Sequence, residues 1–289
     1  MTPPAPELRS GMVDLGEVAL HVVEAGPADG PAVVLLHGFP EFWRGWRRQI
    51  PALAAAGYRL VVPDQRGYNL SDKPRRIAAY ALDTLVDDVE RLLDRLDIGR
   101  AAVVGHDWGG VVAWWLAARR PSRLSRLAVL NAPHPAVAWR FVLHDPVQRR
   151  KSWYIYFFQL PWLPEIWYGR DDFRLAERSL RATARPGTFD DDDLAAYREA
   201  WSRPGALTAA IHWYRAALWH RPRRLDRRIT VPTLLLWGRR DRFLDPRLAE
   251  ANCEFCDDVR LEMLDRAGHW LQHEEPETVD RLLLEHLAG

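Results

Sequence analysis

Short apolar runs alternate with amphipathic stretches over most of the chain. Residues 13–15 and 21–24 read as two short strands joined by a turn at Gly16-Glu17. Residues 32–36 read as a buried strand ending in His37-Gly38-Phe39-Pro40. After a helical stretch around 46–56, another strand at 59–63 closes on Asp64-Gln65-Arg66-Gly67. Leu85, Val89, Leu92, Leu93 and Leu96 recur at helical intervals, which predicts an amphipathic helix over 82–96. The apolar run 101–104 then turns at Gly105-His106-Asp107-Trp108-Gly109-Gly110 into a helical stretch, 111–119, followed by a strand at 124–130. Strands alternating with helices imply a mainly parallel sheet covered on both faces.

That rhythm stops near Asn131-Ala132-Pro133-His134-Pro135 and gives way, to about residue 228, to helical segments rich in Trp, Tyr and Arg. It resumes with strands at 233–237 and 260–264 and closes in a helix over 276–287. A helical insertion between two strands of such a sheet lies over their carboxyl ends, where ligands bind. Residues 135–228 therefore read as a cap, 12–134 and 229–289 as an α/β core, and the Pro-rich 1–11 as a flexible N-terminus.

A length of 289 residues permits one large domain with an insertion. The net charge of +1 gives no electrostatic case for nucleic acid or an anionic membrane as partner. No secretory signal and no apolar run of membrane-spanning length is visible, so a cytoplasmic location is the expectation. Cys253 and Cys256 are spaced as a redox pair or half a zinc site, but no further ligands stand nearby, and two ordinary thiols are expected.

The turn at 105–110 keeps the spacing of a nucleophile elbow, G-x-S-x-G, in which small residues flank a nucleophile on a strained strand-to-helix turn. Here Asp107 replaces serine. A carboxylate attacks carbon carrying a leaving oxygen or halogen and forms an ester on the enzyme. An elbow nucleophile needs an acid and then a histidine later in the chain. Asp241, just after the strand that follows the cap, and His269, after the last strand, stand in that order. Backbone N–H groups of Phe39 and Trp108 are the expected oxyanion donors. His37 and His106, beside strand-end turns, are expected to support loops, and Asp64 is left outside the triad. His134 and His212 are considered as pocket lining; His21, His144, His220, His273 and His286 have no evident role.

With these residues in place, the chain resembles the epoxide-hydrolase branch of the α/β-hydrolase fold superfamily from about Met12 to the C-terminus. The likeness rests on His37-Gly38-Phe39-Pro40-Glu41, Asp64-Gln65-Arg66-Gly67-Tyr68, the 105–110 turn and Gly268-His269-Trp270. It implies a mostly parallel sheet flanked by helices, with an α-helical cap inserted between two strands. Members of that family use two cap tyrosines as ring-opening acids. Ser152-Trp153-Tyr154, ahead of Phe157-Phe158-Gln159, resembles the site of the first, and Trp213-Tyr214-Arg215 the second. A phenol with pKa ~10 stays protonated at neutral pH and can donate to the alkoxide as the ring opens. The resemblance thus implies Asp107 as nucleophile, His269 and Asp241 as the water-activating pair, and Tyr154, Tyr214 and Trp108 against the substrate. It leaves a cis bond at Pro40 open.

A haloalkane or haloacetate dehalogenase would use the same Asp ester. It would need halide-binding N–H donors in place of phenols, and haloacetate enzymes carry Arg where this chain has Trp108. Some dehalogenases take the acid from the strand before the cap, where Asn131 stands here and cannot carry the charge. A non-catalytic binding protein would be expected to have lost part of this set. Trp139, Trp153, Tyr156, Phe157, Phe158, Trp162, Trp167 and Trp219 make the cap aromatic, so a small hydrophobic epoxide and water are the expected partners. No metal or organic cofactor is expected, and the chain is expected to act as a monomer or homodimer.

Overall fold

The computed structural model describes residues 6–220, 222, 224 and 226–289. Eight strands form one sheet in the order β1-β2-β4-β3-β5-β6-β7-β8. They are β1 (Arg9–Asp14), β2 (Ala19–Ala25), β3 (Ala32–Leu36), β4 (Arg59–Pro63), β5 (Ala101–His106), β6 (Leu124–Leu130), β7 (Thr233–Gly238) and β8 (Val259–Leu264). β2 runs antiparallel to β1 and β4, and every other pairing is parallel. This is the α/β-hydrolase fold.

Why the central strands are continuous apolar runs follows from the layering. Successive side chains of a strand point to opposite faces, and both faces of this sheet are covered by helices. Val34, Leu36, Val103 and Val129 enter one core, and Val33, Leu35, Val104 and Leu130 enter the other. On the first face lie α2 (Leu82–Arg95) and α3 (Trp108–Arg119); on the second lie α1 (Gln49–Ala55) and α13 (Pro276–Ala288). The residues that set the helical period of α2, among them Leu85, Val89, Leu92 and Leu93, are its buried ones. α3 is apolar around most of its circumference because it is sandwiched between sheet and other helices, and Val112 through Ala117 are all buried. Trp114 within it still satisfies its indole N–H on the Ala132 carbonyl at 3.0 Å.

Between β6 and β7 come seven helices: α4 (Pro135–His144), α5 (Pro146–Lys151), α6 (Trp153–Phe157), α7 (Leu163–Gly169), α8 (Arg174–Thr183), α9 (Asp191–Ser202) and α10 (Ala206–Trp219). They are tied to the loops at the sheet's carboxyl edge. Trp213 donates its indole N–H to the Arg66 carbonyl at 3.0 Å, and Trp201 donates to that of Pro40 at 2.6 Å. α11 (Arg247–Cys253) and the short α12 (Leu271–Glu274) complete the set. Among the described residues, no helix is long and apolar enough to cross a membrane.

One expectation needs correcting, and points that the sequence left open are decided. The segment 9–11, read as flexible, is strand: Arg9, Ser10 and Gly11 pair with Glu24, Val23 and Val22. Its side chains are exposed, so backbone pairing alone holds it and no hydrophobic pattern marks it; residues 1–5 lie outside the described residues. Most of the cap aromatics are not core. Trp153, Tyr156, Trp162, Trp167 and Trp219 are exposed, and of that group Phe158 is the one fully buried. His134 and His212 line neither large cavity. His134 stacks on Phe255 with ring centroids 4.4 Å apart and accepts from the Ala136 N–H, and burial pushes its pKa down to about 4. His212 packs edge-on against Tyr80. Cys253 and Cys256 are free thiols, and burial pushes that of Cys256 up to about 12.

The crossing of β3 and α3 leaves no room for a side chain at Gly109: a Cβ there would overlap the carbonyls of Leu36 and His37. Gly109→Ala is therefore expected to lose about 1–3 kcal/mol of stability through backbone displacement. The measurement is a urea midpoint that falls while the m-value holds.

Candidate active site

β5 ends at His106 and α3 begins at Trp108, so Asp107 alone makes the turn between them. Its φ of 50° and ψ of −121° lie in a region costly to residues with a Cβ, a strain of order 1–3 kcal/mol that the surrounding packing must hold. Gly38 explains part of that packing, because a Cβ on it would run into the Asp107 carboxylate. The backbone of the 38–39 loop can thus lie directly on the Asp107 carboxylate, and the Phe39–Pro40 bond that follows is cis.

The two carboxylate oxygens of Asp107 have different neighbours. Oδ1 accepts the Phe39 N–H at 2.8 Å, while Oδ2 lies 3.6 Å from His269 Nε2. On the other side of the imidazole, Nδ1 is 2.8 Å from Asp241 Oδ2. Asp241 is buried, and its remaining oxygen accepts the N–H groups of Phe243 at 2.7 Å and Leu244 at 2.9 Å. Three residues far apart in sequence therefore form one chain of contacts, each leaving the carboxyl end of a parallel strand or the loop after it.

Electrostatics follow from that geometry. Burial opposes the charged form of His269, but the Asp241 charge and the hydrogen-bonding carboxylates outweigh it and push the imidazole up to about 10. Burial likewise opposes ionisation of Asp107, yet His269, His106 and the Phe39 N–H hold its carboxyl below the ordinary range. In the free protein at neutral pH the pair is thus an imidazolium against a carboxylate.

Asp107 and His269 lie on the wall of a cavity of about 460 Å³, to which Tyr154 and Tyr214 also contribute. The two phenol rings meet edge to face, 5.8 Å between centroids. Burial, reinforced by the Asp107 charge, raises both phenols well above 10, so both remain proton donors. Trp108 lines a second cavity behind Tyr214, whose described lining is mostly apolar, and its ring lies against that of Tyr214 with centroids 5.1 Å apart.

Several supports of this site had no signal in the residue pattern. Asn131, set aside as an acid, fastens the site: its Nδ2 donates to the carbonyls of Gly268 at 2.7 Å and His269 at 3.1 Å, and its Oδ1 accepts from the Gly238 N–H at 2.8 Å. It ties the ends of β7 and β8 together, on which Asp241 and His269 depend. His106 donates through Nε2 to the His269 carbonyl at 2.8 Å. Beneath it the buried Glu41 accepts from Tyr197 at 2.6 Å, His273 at 2.7 Å and Gln272 at 3.0 Å, and although burial opposes its charge, His273 and His106 hold it well below the usual carboxylate range. His273 in turn accepts from Arg47, which also pairs with Asp193 of α9. Asp64 is occupied by His21, Trp43 and Asn69, and His37 by Gly38 and Gln65.

Because the folded pKa of His269 is raised from 6.5 to about 10, the site contributes stability that is complete below about pH 6.5 and is lost as pH rises through about 10. An NMR titration of the His269 ring is expected to show a midpoint near 10. Asp107→Asn is expected to move that midpoint to lower pH, since it removes one of the two charges that hold the proton.

The model of the alpha/beta hydrolase fold family matches residues 31–276. The AB hydrolase superfamily protein YfhM of Bacillus subtilis (strain 168) is 46% identical over 277 residues, covering 96% of this chain and 97% of that protein. Epoxide hydrolase 4 of Homo sapiens is 39% identical over 269 residues, 91% of this chain and 74% of that protein. Among solved structures, an epoxide hydrolase from metagenomes of hot environments superposes with a TM-score of 0.87 at 32% identity, over 98% of this chain and 99% of its own. Matched along most of its length by that fold and by these enzymes, the chain belongs to the epoxide hydrolase family of the α/β-hydrolase fold superfamily.

Proposed function

We propose that this protein opens an apolar epoxide to a vicinal diol through a covalent ester on Asp107. The observation that carries the reading is the presence, in one cavity, of an ionised carboxylate on a strained turn and two phenols that stay protonated. Asp107 Oδ2 attacks a ring carbon, the C–O bond breaks, and Tyr154 and Tyr214 hydrogen-bond to the departing oxygen, one of them giving it a proton. Oδ1 becomes the ester carbonyl oxygen, already held by the Phe39 N–H. The helices over 135–228 serve as a cap that brings both phenols over the nucleophile.

Ester formation removes the Asp107 charge, and with it part of what keeps His269 protonated. The imidazole then gives up its proton, which replaces the one lost by the tyrosine, and takes another from water, whose oxygen attacks the Asp107 carbonyl carbon. Asp241 orients the ring and stabilises its charged form. The Phe39 and Trp108 N–H groups receive the tetrahedral oxyanion. A dehalogenase would share the ester but has no use for two phenolic donors.

His269→Gln is expected to accept one equivalent of epoxide and hydrolyse the ester very slowly, so intact-protein mass spectrometry shows a mass increase of one substrate. An unmodified protein after long incubation with epoxides that the parent turns over contradicts these roles. Tyr154→Phe and Tyr214→Phe keep the rings but each remove a donor, and loss of one preorganised donor typically lowers the rate ~10²–10³-fold. Rapid-quench measurement of ester formation is the check. Ring opening at the parental rate in both variants makes the tyrosines packing residues and removes the main support for the epoxide reading.

A further inference from the structure

The two phenols over Asp107 belong to helices far apart in sequence, and one of those helices has little to hold it. α6, which carries Tyr154, is five residues long, has no side-chain cap at its start and fully buries none of its residues. A helix so short has no stability of its own, so its place depends on ties to its neighbours. α10, which carries Tyr214, is 14 residues long and is buried along most of its middle. Arg215, the residue after Tyr214, ties the first helix to the second. Its buried guanidinium donates through Nε to the Phe158 carbonyl at 3.0 Å and through Nη2 to the Leu160 carbonyl at 2.7 Å. Both carbonyls lie just past the end of α6, where the helix offers them no partner.

The same guanidinium meets Glu165 of α7 in a fork, Nη1 to Oε1 at 2.7 Å and Nη2 to Oε2 at 3.2 Å. A buried ion pair contributes little net stability once the desolvation of both charges is counted. What the planar fork supplies is direction, with N–H groups fixed in one plane that an ammonium cannot copy. Phe158 turns that direction into a spacing. Its carbonyl is held by Arg215, and its fully buried ring lies against both phenols, 5.9 Å between centroids from Tyr154 and 4.8 Å from Tyr214. It also packs on Phe39 at 5.5 Å, the residue whose N–H holds Asp107. A shift of the 158–160 segment would therefore move Tyr154 relative to Tyr214.

Resting on the epoxide reading above, we infer that Arg215 is a positioning residue for ring opening: it locks the end of α6 onto α10, with Glu165 holding the guanidinium in plane, so that Tyr154 and Tyr214 converge on one oxygen. It acts through the Phe158 and Leu160 carbonyls and not on the substrate. A misplacement of ~1 Å in such a constellation costs ~10²-fold in rate. Ester hydrolysis rests on Asp107, Asp241 and His269, which are held by loops at the edge of the sheet, and does not need the phenols to converge.

The test follows single turnovers by rapid quench, with styrene oxide and 1,2-epoxyoctane as probes, and reads ester formation and ester hydrolysis separately. Arg215→Lys keeps a charge opposite Glu165 but lacks the fork. It is expected to slow ester formation about 10- to 100-fold and to leave hydrolysis near the parental rate. In a Tyr154→Phe background the same change is expected to cost little, because the donor that it would misplace is already gone, whereas in a Tyr214→Phe background it keeps its effect. Should Arg215→Lys fail to fold, the paired variant R215M/E165L, which leaves no unmatched buried charge, is read in the same way. Ring opening at the parental rate, equal slowing of both steps, or an equal cost in the two tyrosine backgrounds overturns this inference and leaves the epoxide reading standing. A folded parent that forms no ester with either probe overturns both.

Discussion

A carboxylate proposed as a nucleophile has to be taken out of bulk water and still kept ionised. Asp107 meets both demands through the elbow. The strained backbone at φ 50° pushes its side chain off the end of β5 into a cavity, and the two flanking loops supply the compensation. Oδ1 is held by a backbone N–H and Oδ2 faces an imidazolium. Uncompensated, a buried carboxylate would take up a proton. The ring contacts, buried acids and cross-strand ties around the site all fix the positions of those compensating groups.

The parallel sheet makes such convergence inexpensive. β5, β6, β7 and β8 are neighbours in that order and end on the same edge, so Asp107, Asn131, Asp241 and His269 meet although the chain between them spans 163 residues. Asn131 shows how tightly the edge is sewn. Its one side chain satisfies the last backbone N–H of β7 and two carbonyls after β8, which sets the reach of His269 toward Asp107. Below it, Glu41 couples the same histidine loop, through His106 and Gln272, to Tyr197 of α9. A buried acid with several donors is satisfied only when all of them are in place. The seating of the helices over 135–219 and the geometry of His269 are therefore linked through one carboxylate.

The protonation states follow the same logic. The phenols are raised and the imidazole is raised, for opposite reasons: burial suppresses phenolate formation, whereas paired carboxylates outweigh burial at His269. One negative charge, that of Asp107, contributes to both. In the proposed reaction, ester formation neutralises it, one phenol gives its proton to the departing oxygen, and release of the imidazole proton becomes easier. In that proposal a single covalent event changes which group is ready to act.

How much of this was legible in the residues depends on the range of the interaction. Strand and helix positions were readable because burial on a covered sheet writes itself as apolar runs, and burial of one helix face as spaced leucines, as in 32–36 and 82–96. The elbow was readable because a strained turn at close quarters demands small residues at Gly105, Gly109 and Gly110, and Asp107 stands between them. Asp241 and His269 were readable from their order after strands. What lacked a local signature stayed hidden. Residues 9–11, the first half of β1, are held by backbone pairing with exposed side chains, and the exposed Trp153, Trp162, Trp167 and Trp219 look in sequence just like core tryptophans. Glu41, Asn131 and His273 are single polar residues whose partners lie up to 232 positions away, and no spacing announces them. Sequence determined which elements form and which reactive groups sit at their ends, since both depend on neighbours along the chain. Only the tertiary structure decided which buried charges are satisfied and which loops meet on one cavity, because those depend on distances between segments that no local pattern encodes.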